Sequence, residues 1–387
     1  MPHPDNVELL VKEGELDRFE LPPSAAVTGD RLGPGEILVR VEKFGLSANN
    51  VSYALMGRSL QYFSFFPTTR AGWGAVPGWG MGRIVESHHH DLAAGARLYG
   101  FLPLARYARL EPARCTPTGF DVDRGALPAA YNQYALVDRD PFYLPTREDH
   151  MILFRPLFFT DFFLDDYLID THACFGADTV VISSASSKTA FGLAFMLVRR
   201  RASSPGARLP RVIGLTSAAH VPFVDGLRLY DQVVRYDDVA SLPRSGGAVL
   251  VDVAGNTAAF EAVRTHLGSR LKAGVLVGMS HWDKSSAAAA PDAFLAPPAG
   301  THFFFAPSQV ETRLREWGPA RTVEKVSAAW REFMEGIDAR CHLTHGCGQA
   351  AVASAYQTML EGRQPPERGV VLSLWEDAFA RASGDPA

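Results

Sequence analysis

The sequence predicts an α/β chain with two kinds of architecture, a small mostly β unit followed by a doubly wound parallel sheet. Three observations carry that expectation. Up to about residue 135, short strand signals are punctuated by frequent Gly and Pro. From about residue 150, strand-like runs alternate with segments long enough for crossover helices. Those runs lack strict polar alternation, as strands buried on both faces of a parallel sheet do.

The elements follow in order. Residues 36–42 read as a strand after the turn Gly33-Pro34-Gly35, and 82–86 and 96–101 read as two more. In the second half, 179–183 is an apolar run, and 188–201 has helical length and spacing. Residues 211–216, 232–236, 248–253 and 274–278 repeat the strand signal, with 301–305 as a sixth. Helices are expected at 324–334 and 349–360, and a last strand at 369–374. Residues 203–206 and 287–291 read as exposed loops, and 382–387 as a frayed end.

Composition bounds the function. A chain of 387 residues that is 47% hydrophobic and 21% charged is folded and globular. A net charge of −4 provides no basic field to gather nucleic acid or an anionic membrane, so the expected partner is a small-molecule substrate. The opening residues show no basic segment followed by an apolar stretch. The longest apolar runs, near 158–163 and 193–198, fall far short of the roughly 18 residues that span a bilayer. A cytoplasmic location without membrane attachment is therefore expected. The four cysteines make no disulfide framework. Cys341, His342, His345 and Cys347 crowd into seven residues with no second ligand pair at zinc-finger spacing. They read as a metal-free loop or helix start, and no metal is expected.

The order of parts resembles that of medium-chain dehydrogenase/reductases. Residues 35–41 followed by 44–50 look like that family's early strand and active-site loop, and 77–85 sits where it has a Gly-His-Glu segment. Residues 96–101, 226–234 and 250–255 are similar to its "GDRV-G", "LGAD-VI" and "D-V-D-VG" segments. The string SSASSKTAFGLA, with LTS, DVAGN and GMSHW downstream, resembles the DUF2855 family. The resemblance implies a GroES-like catalytic and substrate domain over 1–145 and a Rossmann-type NADP-binding domain over 146–325. It implies C-terminal helices and a strand over 326–387 that return to the first domain, and a homodimer through the Rossmann sheet edge. The superfamily's catalytic zinc needs an early Cys and a His-Glu pair, and these places hold Ser47 or its neighbours and Trp79-Gly80. No four-cysteine lobe is present either. The resemblance is therefore to the zinc-free quinone and enoyl-thioester reductases.

A dinucleotide site needs a tight strand-to-helix turn whose N–H groups hold the pyrophosphate. Aligned by its strand, the turn places Ser184 and Ser187 at two glycine-like positions and Ala190 at the third. Ser186 and Ser187 can donate hydroxyls to phosphate and Lys188 adds a charge, or one of the serines simply caps the helix. The glycines of a Walker-type loop are missing. The next strand ends Leu215-Thr216-Ser217-Ala218-Ala219-His220 without the acid that would bind the ribose of NAD. Thr216, Ser217 and His220 then favour NADP(H), or they cap the following helix. Tyr236 and Ala254, at the ends of the third and fourth strands, join them as cofactor-binding candidates. Thr160 resembles the superfamily's cofactor-contacting Thr.

Without zinc, a hydrogen-bond donor must polarise the substrate. Tyr62 occupies the region where enoyl-thioester reductases carry a proton-donating Tyr. With Phe63, Phe65 and Phe66 beside it, Tyr62 reads equally as hydrophobic wall. Asn50 is a catalytic candidate and Asn49 and Tyr53 are substrate-binding candidates, with loop capping as the alternative for the two asparagines. His281 and Trp282 follow the fifth strand, where loops reach the nicotinamide, as a donor and a pocket wall, with a surface histidine as the equal alternative for His281. Adjacent Asp165 and Asp166 diverge on a helix and read as a solvated face. These residues together point to a zinc-independent, NADPH-dependent reduction of an activated C=C or C=O bond. The Ser-for-Gly replacements keep two alternatives open: a lyase or isomerase on the same fold, and a non-catalytic nucleotide-binding protein.

Overall fold

A computed structural model of the chain describes residues 5–24, 32–277 and 300–379, apart from 126, 128, 205, 207 and 208. The chain divides into two compact units, Met1–Leu153 with His342–Ala387, and Phe154–Cys341. The expected loop at 287–291 lies outside the described residues.

The first unit is built on a nine-stranded sheet. Ile37–Leu46 lies in its middle, antiparallel to Pro77–Ser87, Tyr107–Leu110 and Arg368–Ser373. Ile37, Leu38, Val39, Val41 and Phe44 are all buried along it. The strand outruns its expected end at 42 because its last residues pair with the C-terminal strand, Gly45 opposite Val371. Gly45 allows a close approach there, since a Cβ would fall 2.7 Å from the Leu153 side chain. Asn49 and Asn50, expected in a loop, instead lie in the helix Ala48–Leu55. Ser47 caps that helix through a reciprocal capping box. His342–Cys347 is a strand parallel to Arg368–Ser373, not a loop or helix start, and six residue pairs set its register.

The second unit holds a six-stranded parallel sheet: β1 (Thr179–Ile182), β2 (Arg211–Thr216), β3 (Gln232–Arg235), β4 (Ala248–Asp252), β5 (Leu271–Leu276) and β6 (Thr301–Phe303). Their spatial order is β3-β2-β1-β4-β5-β6, the doubly wound arrangement with a crevice at the carboxyl ends of its strands. Val180, Val181 and Ile182 of β1 and Val249, Leu250 and Val251 of β4 are buried on both faces. Each such side chain contributes about 1.5–3 kcal/mol of burial energy. The turn 183–187 joins β1 to the helix Lys188–Ser203.

No periodic signal announced the helix Glu148–Asp166. It is apolar nearly all round, with Met151, Ile152, Leu153, Phe154, Phe158, Phe162, Phe163 and Leu164 buried, and Pro156 interrupts it. Asp165 and Asp166 at its end are corrected from solvated to buried, each 2% exposed. Arg200 chelates Asp165 through Nε (3.1 Å) and Nη2 (2.6 Å). Arg313 Nε donates to Asp166 (2.7 Å). Burial pushes the Asp165 carboxyl up, and the Arg200 guanidinium opposes that rise. Among the described residues, no helix is long and apolar enough to cross a membrane.

Candidate functional site

The carboxyl ends of β1 to β4 carry the candidate cofactor residues. Ser184 stands at φ +51°, in the left-handed region that favours glycine. Its N–H donates to the Tyr236 hydroxyl (2.8 Å), and its own Oγ lies 3.2 Å from the same oxygen. Ser187 caps the next helix by accepting from Ala190 N–H (3.2 Å). The remaining first-turn N–H groups have no intrahelical carbonyl to reach, as at any helix start. Lys188 is the first residue of that helix. The Ser186 Oγ lies 3.0 Å from His220 Nδ1, which ties the turn to the segment after β2. Burial pushes the Tyr236 phenol up, so it stays protonated.

Other candidates are placed differently from expectation. Thr216 is 1% exposed at the end of β2, so the accessible polar groups there are Ser217 and His220. Ser217 begins a short turn without a side-chain capping bond. Ala254 is buried and offers only backbone, its N–H facing the Asp252 carboxylate (3.4 Å). That carboxylate also accepts from the Ser183 hydroxyl (2.7 Å), which locks β1 to β4 beneath the turn. Thr160 lies in mid-helix and donates to the Pro156 carbonyl (3.1 Å). Next to it, Asp161 is 1% exposed, with one carboxyl oxygen unpartnered, and burial holds it well above the usual carboxylate range. Gly192 lets this carboxyl in, since a Cβ would stand 1.8 Å from it.

Sequence reasoning missed Arg235. It is the last residue of β3, in register with Thr216. Its guanidinium pairs with Asp237 at 2.8 Å, with both side chains largely exposed (52% and 66%). A cation thus stands at the end of the neighbouring strand, within the string Val233-Val234-Arg235-Tyr236.

In the first unit, Tyr62 opens a short 3-10 turn. Its ring centroid is 4.6 Å from that of Tyr53 and 5.7 Å from that of Tyr131, and the Tyr62 and Tyr131 hydroxyls are 3.2 Å apart. Tyr53, Phe65 and Phe101 form the buried part of this cluster, and Tyr62, Phe66, Trp79 and Tyr131 are its half-buried rim. Burial pushes all three phenols up, so each is a neutral donor. Tyr131, which no sequence pattern indicated, comes from a separate turn, Ala129–Tyr131. Asn49 is half-buried in the first turn of the helix Ala48–Leu55. Asn50 takes the capping role that the sequence left open beside catalysis. Its Oδ1 accepts from Ser47 N–H (2.8 Å) and its Nδ2 donates to the Pro77 carbonyl (3.0 Å) at 3% exposure.

The positions matching the superfamily's zinc ligands are used otherwise. Ser47 is a helix cap, Trp79 packs in the aromatic cluster, and a Cβ at Gly80 would lie 2.7 Å from the Lys43 carbonyl. Among the described residues, His89, His90 and Asp91 are the group whose ligand atoms converge, in an exposed turn. His281 and Trp282 lie outside the described residues.

The family model described as "Protein of unknown function (DUF2855)" matches residues 44–365, and the chain belongs to that family. No curated protein matches the sequence. Among solved structures, CurA from Vibrio vulnificus in complex with NADPH is similar at TM-score 0.57 and 15% identity, covering 96% of this chain and 98% of that one. The yhdH oxidoreductase from Salmonella enterica in complex with NADP gives 0.54 and 12%, over 95% and 99%. Human synaptic vesicle membrane protein VAT-1 homolog-like protein gives 0.51 and 13%, over 95% and 98%. At these identities the likeness is one of fold, and it matches the expected GroES-like and Rossmann-type pairing.

Proposed function

We propose that this member of the DUF2855 family is a zinc-independent, NADPH-dependent oxidoreductase that reduces an activated C=C or C=O bond of a small organic substrate. The observation that carries the reading is the strand–turn–helix at β1. A left-handed residue stands at the glycine place, a capped helix start follows, and no acid ends β2. The bound NADPH of CurA and NADP of the yhdH oxidoreductase support it by analogy of fold. The turn 183–187 and the first turn of the helix Lys188–Ser203 would hold the pyrophosphate, and Ser217, His220 and Arg235 the 2′-phosphate. When bound, NADPH supplies the reducing equivalent.

The remaining chemistry belongs to the chain's own residues in the first unit. Tyr62, kept protonated by burial, donates its proton to the oxygen or carbon that gains charge. The half-buried aromatic rim excludes water from that donor. Titrating the purified chain with NADPH while following nicotinamide fluorescence tests the reading. Saturable binding is expected, and no binding at high micromolar NADPH would overturn it.

A further inference from the structure

The Tyr62 hydroxyl has a partner that the proposed reaction has not yet used. Tyr131 packs against the rings of Tyr53, Tyr62, Phe65, Trp79 and Phe101, at centroid distances of 6.2, 5.7, 5.6, 5.8 and 4.7 Å. Its hydroxyl lies 3.2 Å from that of Tyr62, within hydrogen-bond reach. Two phenols at this separation share one hydrogen bond, so one must donate and the other accept. Ring packing holds Tyr131 on several sides, and Tyr62 begins a half-buried turn beside exposed Gln61.

We propose that Tyr131 is a positioning residue for Tyr62: its O–H donates to the Tyr62 oxygen, which turns the Tyr62 proton outward and stabilises the phenolate left after proton transfer. The inference rests on the reading of Tyr62 as proton donor. In the step itself, the O–H bond of Tyr62 breaks and its proton goes to the reduced substrate. The electron pair stays on the Tyr62 oxygen, which accepts from Tyr131 until solvent water returns a proton. Burial pushes both phenols up, so both are protonated before the transfer.

NMR of the full chain labelled with 13Cζ-tyrosine tests the pair directly, the Tyr62 resonance being the one lost in Tyr62→Phe. Tyr131→Phe keeps the ring and removes the hydroxyl, and it should raise the Tyr62 midpoint by about one pH unit, the worth of one hydrogen bond to a charged group. The reciprocal measurement needs only Tyr62→Phe, in which Tyr131 should titrate at lower pH once its ionised neighbour is gone. With NADPH and 1,4-benzoquinone as probe substrate, Tyr131→Phe should lower kcat, leave KM unchanged and move the alkaline limb upward. Unmoved midpoints in both variants would overturn the inference, even if kcat fell. If the midpoints move while Tyr62→Phe turns over normally, the relay stands and the catalytic reading of Tyr62 falls.

Discussion

Arg235→Ala is the substitution that most directly separates NADPH from NADH at the proposed site. A charge-assisted hydrogen bond to a 2′-phosphate contributes about 1.5–3 kcal/mol. To make it, the guanidinium must leave Asp237, an exposed pair separated by 2.8 Å in which both partners are more than half exposed. Such a pair is worth about 0–1 kcal/mol. The net contribution is then about 1–2 kcal/mol, or about 5–30-fold in Kd for NADPH. NADH has no phosphate at that position, and its Kd should be unchanged. Added salt should narrow the difference, because the interaction is solvent-exposed. Asp237→Asn, which frees Arg235, should tighten NADPH alone. Fluorescence titrations of both cofactors against the three proteins at low ionic strength give the answer. Equal weakening of NADH and NADPH in Arg235→Ala, or no change in either, would refute the placement of the phosphate at the ends of β2 and β3.

Three further outcomes follow from the geometry. Ser184→Gly should leave thermal stability and NADPH binding near wild type, whereas Ser184→Val, β-branched at φ +51°, should cost more than about 1 kcal/mol in chemical denaturation. Asp161 is held protonated in the folded chain and ionises at ordinary pH when unfolded, so its contribution to stability falls as pH rises above the usual carboxylate value. Urea unfolding of Asp161→Asn should lack that decline and exceed wild type at pH 8, and a wild type that gains stability between pH 5 and 8 relative to the variant would contradict it. Glu148 behaves in the opposite sense. Burial opposes its ionisation, but hydrogen bonds from Arg97 and Lys43 hold it at about 2, so its stabilisation is present above the unfolded value and lost as pH falls towards 2. Glu148→Gln should cost about 1–3 kcal/mol at neutral pH and flatten that acid limb.

The parallel sheet was legible because its signal is local. Each buried strand is a short apolar run, and β2 spans 211–216 as read, because hydrophobic burial on both faces leaves little choice of residue. The helix Glu148–Asp166 was illegible for the same reason in reverse: a helix buried on most sides has no amphipathic stripe, and its Pro156 reads as a break. Asp165 and Asp166 misled because a pair of adjacent acids carries no sign of its partners. Arg200 and Arg313 reach them from other helices. Tyr131 is a harder case still. It meets Tyr62 across 69 residues, and only the tertiary fold brings two separate 3-10 turns together.

The turn after β1 shows where residue identity and backbone requirement part company. What the turn demands at position 184 is a left-handed backbone, and φ +51° there means the demand persists although the residue is serine. The strain of a Cβ in that conformation, of order 1–2 kcal/mol, is offset locally. The Ser184 N–H and Oγ both meet the Tyr236 hydroxyl, at 2.8 and 3.2 Å. Ser186 is tied in the same manner to His220 at 3.0 Å. Ser184, at a glycine place, and Ser186 beside it bind the turn to Tyr236 after β3 and to His220 after β2. A glycine at 184 would keep the backbone and the N–H bond to Tyr236 and lose only the Oγ contact, whereas a glycine at 186 would lose the tie to His220. The Ser-for-Gly exchange at 184 thus keeps the backbone and the N–H bond that the proposed cofactor turn requires. Ser186→Gly should then weaken discrimination between NADPH and NADH without abolishing binding of either.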